Sequence, residues 1–293
     1  MRFLFLFLLT GWAWAQTLEY ERTTMQIPVK GGSPRAAEKE ALEVRGATVL
    51  LGDAQGNGVY RLPDLRLAYR LPAGVAHLGA REVALYRQGA LEFYREGKLV
   101  QRRQQAEPLW FGQVGQHWVV VSRQSVEVGP RRIPIKKLDR QAQVFGVWFE
   151  NDQLHLSTTD SQGSTYLTWR LSDGKQIPAE TVRGDISIQL ASDHFMLHGE
   201  YNHPGDAYTH LSQRPHQSVL SGRDYFPKSL SEGDGRAAYL LEINSERFLE
   251  VIDPKANQRW TWEGPPAAQG ALSGDGKWLV VLGADGKVYV QSL

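Results

Sequence analysis

Histidine is concentrated in one stretch of this chain, where its chemistry and spacing could hold a metal ion. Five of the eight histidines stand between positions 194 and 216, with acidic residues among them: His194, His198, His203, His210, His216, Asp193, Glu200 and Asp206. Imidazole nitrogens and carboxylate oxygens are common ligands of zinc and copper. The stretch is therefore the first candidate for a metal site.

The spacing of these residues argues against that site. The surrounding residues alternate as a strand does, and His194 and His198 on one strand would lie about 13 Å apart. A turn at positions 203–206 leaves His203, Asp206 and His210 as the remaining metal candidates. We expect surface and turn histidines here, with no stoichiometric metal.

The sequence lacks cysteine and the common motifs of catalytic and cofactor-binding sites. The chain contains no cysteine, which excludes disulfides, thiolate metal sites and a cysteine nucleophile. No serine-hydrolase elbow, zinc-protease pair, phosphate-binding loop or dinucleotide fingerprint occurs in a suitable setting. We therefore predict no catalytic residue and no cofactor, although an active site assembled from distant loops would escape such a search.

The positioning elements are short β-forming runs that recur along the chain. Seven runs begin at steps of 35 to 42 residues, near Ala47, Glu82, His117, Gln153, His194, Arg236 and Lys277. Each is followed by a hairpin of alternating residues, and Asp-Gly or Asn-Gly pairs punctuate the strands. A period of about 40 residues with several strands per unit predicts an all-β fold, a β-propeller. Seven runs suggest seven blades, with six to eight left open.

Two segments carry a family resemblance. Ser273-Gly274-Asp275-Gly276-Lys277 before Trp278 resembles an element of TolB-type, YVTN-type and WD-repeat-like propellers. Residues 251–260, ending in Trp260, are similar to a quinoprotein repeat but have Ala256-Asn257 where that family usually has Thr-Gly. The resemblance implies a propeller and no particular activity.

The ends of the chain suggest how the ring closes. The last unit has three strands, and residues 18–29 form a strand-like segment outside the repeats. We predict that this N-terminal strand pairs into the last blade and removes its exposed edge. A break at positions 31–32 and a short helix over positions 33–42 would connect it to the repeats. The predicted division is a signal peptide (1–15), a closing strand and connector (16–43) and propeller repeats (44–293).

The N-terminus predicts export. Arg2, a short apolar core and Ala13-Trp14-Ala15 form a signal-peptide pattern, with Gln16 the first mature residue. We expect a secreted or periplasmic monomer with no transmembrane segment after cleavage. The formal charge of +1 argues against nucleic acid as a partner.

These features favour a non-catalytic binding or scaffold module for a protein or cell-envelope component. Long inter-strand stretches supply the candidate binding residues Tyr225, Phe226, Arg214 and Arg223, because aromatic residues and arginine are enriched at binding hot spots. The alternative is an enzyme, such as a metal-assisted hydrolase, with its site at the channel mouth. Convergent Asp, Glu and His there would favour the enzyme, and an aromatic, apolar face would favour binding.

Aromatic residues near the strands have two possible roles. They either pack between blades or line a platform for a sugar or peptide, and they comprise Trp110, Phe111, Trp118, Trp148, Phe149, Trp169, Trp260 and Trp262.

Overall fold

The computed structural model describes residues 21–23, 31–35, 42–53, 56–135, 138, 142–160, 163–183, 186–192, 194–201, 207–213, 217–223, 226–243 and 246–293. All regular elements in these ranges are strands, and the all-β prediction is confirmed. No helix in this part of the chain is long and apolar enough to span a membrane.

Two short strands come first, β1 (Glu21–Thr23) and β2 (Gly31–Arg35). The remaining strands follow in sheets of consecutive antiparallel neighbours. The first sheet comprises β3 (Leu42–Arg45), β4 (Thr48–Asp53), β5 (Gly56–Arg61) and β6 (Arg66–Leu71). The second comprises β7 (Val75–Leu78), β8 (Val83–Arg87), β9 (Ala90–Arg95) and β10 (Lys98–Gln104). The third comprises β11 (Trp110–Val114), β12 (His117–Val121), β13 (Ser125–Val128) and β14 (Arg131–Pro134).

The other sheets repeat this arrangement. The fourth comprises β15 (Gln143–Glu150), β16 (Gln153–Asp160), β17 (Gly163–Arg170) and β18 (Gln176–Arg183). The fifth comprises β19 (Ile186–Ala191), β20 (Phe195–Tyr201), β21 (Ala207–Gln213) and β22 (Gln217–Arg223). The sixth comprises β23 (Phe226–Gly233), β24 (Arg236–Ile243), β25 (Glu246–Asp253) and β26 (Gln258–Thr261). The seventh comprises β27 (Ala267–Leu272), β28 (Trp278–Gly283) and β29 (Lys287–Ser292).

The sheets are arranged around a central axis. The first strand of each sheet contacts the first strand of the next, and β27 of the seventh sheet contacts β3 of the first. The chain therefore has the β-propeller fold that its period predicted. The recurring runs of the sequence are the second strands of the sheets, from β4 to β28.

The N-terminal pairings differ from the prediction. β2 pairs antiparallel with β29 beside the seventh sheet, and β1 pairs parallel with β26 beside the sixth. The prediction of a short helix over positions 33–42 is wrong at both ends, because Gly31–Arg35 and Leu42–Arg45 are strands. Backbone pairing to an open sheet edge overrides the weak strand propensity of Gly and Pro. The remainder of residues 18–29 lies outside the described residues.

The hydrophobic core is divided into clusters between neighbouring sheets. One cluster joins Leu50 and Val59 of the first sheet to Leu78 and Leu85 of the second, all buried. The first and seventh sheets meet through another cluster: Leu42, Val49, Leu51 and Tyr60 against Val280, Leu282 and Val288. Burial of the apolar face of each sheet thus depends on its neighbours.

A buried carboxylate lies in the second sheet. Glu92 is 1% exposed and accepts hydrogen bonds from Arg87 Nε at 2.7 Å and the Tyr94 hydroxyl at 2.7 Å. Arg102 Nε lies 3.4 Å from the same carboxylate. The hydrogen bond from Arg87 holds the pKa of Glu92 below its usual range, against the opposing effect of burial. Glu250 of the sixth sheet has a similar environment, since Tyr239 donates a hydrogen bond to it at 2.6 Å and Arg259 contacts it.

Candidate functional site

The candidate site is a cavity of about 880 Å³ at one end of the ring of first strands. First strands and the turns that follow them line it, from every sheet except the second, together with Lys255 of the turn between β25 and β26. This is the end of the channel at which each first strand turns into its second strand. The cavity therefore collects residues that stand some 40 positions apart in the sequence.

One wall of the cavity is apolar and comes from the third and fourth sheets. Trp110 and Val114 of β11 contribute to it together with Val147, Trp148 and Phe149 of β15. The indole of Trp148 stacks on the His155 ring, with centroids 5.1 Å apart and planes 7° apart. These strands fix the aromatic rings in place before any ligand arrives.

The Phe149 ring belongs to the same apolar wall. It meets the His117 ring edge to face, with centroids 6.1 Å apart. Its side chain is half-buried, so part of the ring remains available to a ligand. An aromatic surface of this kind offers large contact area at small conformational cost.

A second wall of the cavity carries a histidine and a carboxylate that join the fifth and sixth sheets. The His194 backbone N–H donates to Glu232 Oε2 at 2.8 Å, and the imidazole Nδ1 contacts Glu232 Oε1. The Glu232 side chain is largely buried, whereas that of His194 is 66% exposed. The carboxylate therefore fixes the orientation of an imidazole that faces solvent.

The neighbouring turn places an acidic group on the same wall. Asp234 and Gly235 have φ angles of 48° and 76°, the pair of positive values that a tight two-residue hairpin requires. Both residues line the cavity between β23 and β24. The hairpin geometry thus brings Asp234 to the cavity wall.

Lys255 supplies a positive charge, and the preceding residues hold its turn. Asp253 accepts hydrogen bonds from the Ala256 backbone N–H at 3.0 Å and from Arg236 Nε at 2.9 Å. Arg236 also donates to the Gly276 carbonyl at 2.8 Å, which connects the turn to the seventh sheet. Burial is the largest influence on the Asp253 pKa and would raise it, but these hydrogen bonds and the Arg236 charge together lower it.

The two serines of the cavity are engaged in backbone hydrogen bonds. Ser192 Oγ accepts from the Phe195 N–H at 3.2 Å. Ser231 Oγ accepts from the Leu272 N–H at 3.0 Å. Both hydroxyls therefore organise turns and neighbouring strands. Neither is within a hydrogen bond of His194 among the described residues.

The arrangement can bind a ligand that has both apolar and charged groups. A carboxylate-oriented imidazole can also accept or donate a proton if a substrate reaches it. Within the described ranges, no group of three or more His, Asp or Glu side chains is placed to hold a metal ion.

The family-like motif of the last unit has a structural role. Ser273 Oγ donates to Asp275 Oδ1 at 2.6 Å and accepts from the Trp278 N–H at 3.0 Å. Asp275 Oδ1 also accepts from the Lys277 N–H at 3.2 Å. The motif therefore closes the turn between β27 and β28.

None of the four binding residues predicted from the sequence has a described side chain. Tyr225 and Arg214 lie outside the described residues, and Phe226 and Arg223 are described only as backbone at strand ends. In the sequence, Arg214 follows β21 and Tyr225 follows β22. Their joint role as a binding surface stays a prediction.

The side chains of the three metal candidates are also not described. His203 and Asp206 lie outside the described residues, and His210 is described only as backbone, opposite His198 in the β20–β21 register. His194 and His198 have different positions, since His194 borders the cavity and His198 lies within β20.

The predicted aromatic residues divide between the two roles. Trp110 and Phe149 line the cavity and are only partly buried, whereas Trp169 and Trp260 are buried in the core. Trp148 is both, since it lines the cavity and is buried.

Four charged residues of the cavity were not predicted from the sequence: Arg45, Glu232, Asp234 and Lys255. The four residues lie in or next to three turns, and two of these turns contain Gly, at Gly46 and at Asp234-Gly235.

Comparison with known proteins supports the fold alone. No family model matches the chain, and no curated protein matches it. Hydrazine synthase of Kuenenia stuttgartiensis aligns with a TM-score of 0.60 at 8% identity, over 89% of this chain and 99% of that one. A chain of the mitotic checkpoint complex aligns with a TM-score of 0.61 at 12% identity, over 100% of this chain and 99% of that one. This chain is therefore a β-propeller of WD-repeat-like architecture.

Proposed function

We propose that this protein is a binding module that receives an extended segment of a partner protein in the channel-mouth cavity. The observation that carries the proposal is the contrast between the two walls. Trp110 and Phe149 belong to the apolar wall, and His194, Glu232 and Lys255 belong to the polar and charged part of the lining. An extended peptide segment that carries both apolar and charged side chains can contact both parts of the lining at once.

The size of the cavity is consistent with this ligand. Its volume of about 880 Å³ falls in the upper part of the range of about 300–1,000 Å³ typical of ligand sites. Buried aromatic anchors surrounded by polar groups are the usual source of binding energy in protein interfaces. The side chains of Phe149 and Lys255 are therefore the first positions to test.

The electrostatics suggest the character of the segment. Arg45 and Lys255 contribute positive charge, and Glu232 and Asp234 contribute negative charge. A segment with one apolar anchor and charges of both signs would complement this wall. The structural similarity to a chain of the mitotic checkpoint complex, a protein assembly, is consistent with protein binding.

Selection of displayed peptides tests the proposal. Random peptides are selected on the wild-type protein, and their dissociation constants are then measured for Phe149→Ala and Lys255→Glu. We expect each variant to bind at least about tenfold more weakly, since a hot-spot truncation costs about 2 kcal/mol. Lys98→Glu and Leu99→Ala on the exposed strand β10 are the matched controls and should change affinity less than twofold.

Equal binding by the cavity variants and the controls would contradict the cavity proposal. A Tyr225→Ala/Phe226→Ala variant belongs in the same series, because those residues with Arg214 and Arg223 form the other proposed binding surface. A loss confined to that variant would move the binding site to the loops.

An enzyme with its site at the channel mouth is the second candidate function. The His194–Glu232 contact favours it, because an imidazole oriented by a carboxylate is suited to general acid–base chemistry. Turnover in a broad hydrolase screen that disappears in His194→Gln and persists in His117→Gln would support the enzyme. Turnover that both variants retain would count against a role for His194.

We further propose that each of the seven sheets is one blade and that an N-terminal strand completes the last. The continuous circuit of first strands from β3 to β27 supports the blade number. The β2–β29 pairing supports completion of the seventh sheet by a segment that precedes the repeats. We expect such a ring to be a monomer, which light scattering during gel filtration would test.

The proposed location is the periplasm or the extracellular space. The N-terminal pattern from Arg2 to Ala15 supports it. We expect protein recovered from the exported fraction of a bacterial host to begin at Gln16. Intact protein that retains Met1 and stays in the cytoplasm would contradict this location.

A further inference from the structure

A second, smaller cavity lies between the first and second sheets, and arginine dominates its charge. Its volume is about 370 Å³. Four arginines line it: Arg45 on β3, Arg61 at the end of β5, Arg81 between β7 and β8, and Arg95 at the end of β9. We refer to this cavity as the arginine cleft.

Two glutamates also line the cleft, and one has established partners. Glu82 accepts a hydrogen bond from Trp118 Nε1 at 2.9 Å and lies 3.6 Å from Arg95 Nη2. Glu96 is exposed at the rim. Four arginines against two glutamates leave the cleft with an excess of two positive charges.

Three of the arginines have no carboxylate partner among the described residues. Arg61 Nη1 donates to Thr48 Oγ1 at 2.7 Å, which orients the guanidinium without neutralising it. Arg45 Nη1 makes only a 3.5 Å contact with the Leu78 carbonyl. Arg81 is exposed and has no ion pair with a described residue. Two positive charges of the cleft therefore have no matching carboxylate in its described lining.

The concentration of charge is unusual for this chain, whose formal net charge is only +1. Most other arginines on the same sheets are paired, as Arg87 and Arg102 are with Glu92. Like charges brought together in a cleft repel one another unless an anion joins them. The cleft thus has the electrostatic form of an anion site.

We infer that the arginine cleft binds a phosphate monoester group. A phosphate monoester carries about two negative charges near neutral pH and offers three strong acceptor oxygens. Its charge matches the excess of the cleft, and guanidinium groups bind such oxygens through paired N–H donors. The volume suits a small phosphorylated molecule or the headgroup of a phosphorylated lipid. This inference does not depend on the peptide-binding proposal.

The experiment measures binding of glycerol 3-phosphate to the full mature chain by isothermal titration calorimetry at low ionic strength. Arg61→Gln and Arg81→Gln each remove one cleft charge, and we expect either to weaken binding at least tenfold. Arg132→Gln removes an exposed arginine from β14, outside the cleft, and should change affinity less than twofold. Circular dichroism establishes that the variants are folded, and both cleft residues are exposed enough to be replaced without opening the core.

Vesicles containing phosphatidic acid, in a cosedimentation assay, distinguish a lipid headgroup from a soluble phosphate ester. Binding to either probe that the cleft variants lose and Arg132→Gln retains supports the inference and identifies the source. The inference is overturned if neither probe binds, if acetate at equal concentration competes as well as phosphate does, or if all three variants bind alike.

Discussion

Replacement of Gly233 by alanine should weaken the joint between the sixth and seventh sheets. Gly233 is the last residue of β23 and lines the main cavity. A Cβ atom added there would lie 2.0 Å from the Ser273 carbonyl oxygen and 3.0 Å from the Gly276 nitrogen. Both neighbours are backbone atoms of the turn between β27 and β28, so no side-chain rotation can relieve the contact.

The loss of stability expected for Gly233→Ala follows from these distances. Non-bonded heavy atoms prefer separations of about 3.5 Å, so the two backbones must separate by more than about 1 Å. Overpacking costs of this kind are about 1–3 kcal/mol, and we expect about 3 kcal/mol because backbone must move. At about 2 °C per kcal/mol for a chain of this length, the melting temperature should fall by about 6 °C.

Gly174→Ala is the matched control, because it makes the same replacement of glycine by alanine without a backbone clash. Gly174 has a φ of 70° and nothing within 4 Å of its added Cβ, so only the conformational cost applies. That cost is about 1 kcal/mol and predicts a fall of about 2 °C. Calorimetry and equilibrium urea unfolding measure both variants. A Gly233→Ala protein that melts no lower than Gly174→Ala would refute the reasoning.

Three further predictions concern charge, core and chain end. Glu92→Gln should destabilise the protein by about 3 kcal/mol at pH 7, because Arg87 and Arg102 lose a buried partner. The pKa of Glu92 is lowered by folding, so its contribution is present above the unfolded pKa of about 4.3 and is lost as pH falls. In urea unfolding, the free energy of unfolding of Glu92→Gln should therefore lie below that of the wild type by an amount that becomes smaller in acid. The exposed control Glu107→Gln should have the same free energy of unfolding as the wild type. Trp169→Ala removes a fully buried indole and should cost about 3–5 kcal/mol in the same assay, and a loss below about 1 kcal/mol would show that the site repacks. A chain lacking residues 16–35 should aggregate, because β29 loses its β2 neighbour, and light scattering that finds an unchanged monomer would contradict this expectation.

The period of the fold could be predicted from the sequence because local chemistry determines it. Asp-Gly turns such as those at Asp234 and Asp275 stand between strands, and alternating residues identify the strands on either side. Gly31–Arg35 could not be predicted as a strand in this way. Its Gly-Gly and Ser-Pro steps disfavour strands locally, and only the open edge of β29 accounts for its pairing.

The candidate site was less predictable for a related reason. His194 was noticed for its histidine neighbours, yet its partner is Glu232, 38 residues away on another sheet. Arg45 and Lys255 reach the same cavity from opposite ends of the repeat region. Sequence spacing cannot reveal such a convergence, because it depends on how whole sheets are placed around the axis.

The contact between the first and seventh sheets has a consequence for how the chain folds. The Leu42 N–H donates to the Gln269 side chain across 227 positions of sequence, and the Gly274 N–H donates to the Gly46 carbonyl at 3.0 Å. Neighbouring sheets elsewhere can join as soon as the chain between them has formed. This contact requires nearly the whole chain, so its loop-closure cost is larger than that of a contact between sheets that follow each other in the sequence. The ring should therefore seal late, and the first and seventh sheets should separate early when the protein opens. A circular permutant with its ends between two other sheets would move that vulnerable boundary while keeping every sheet intact.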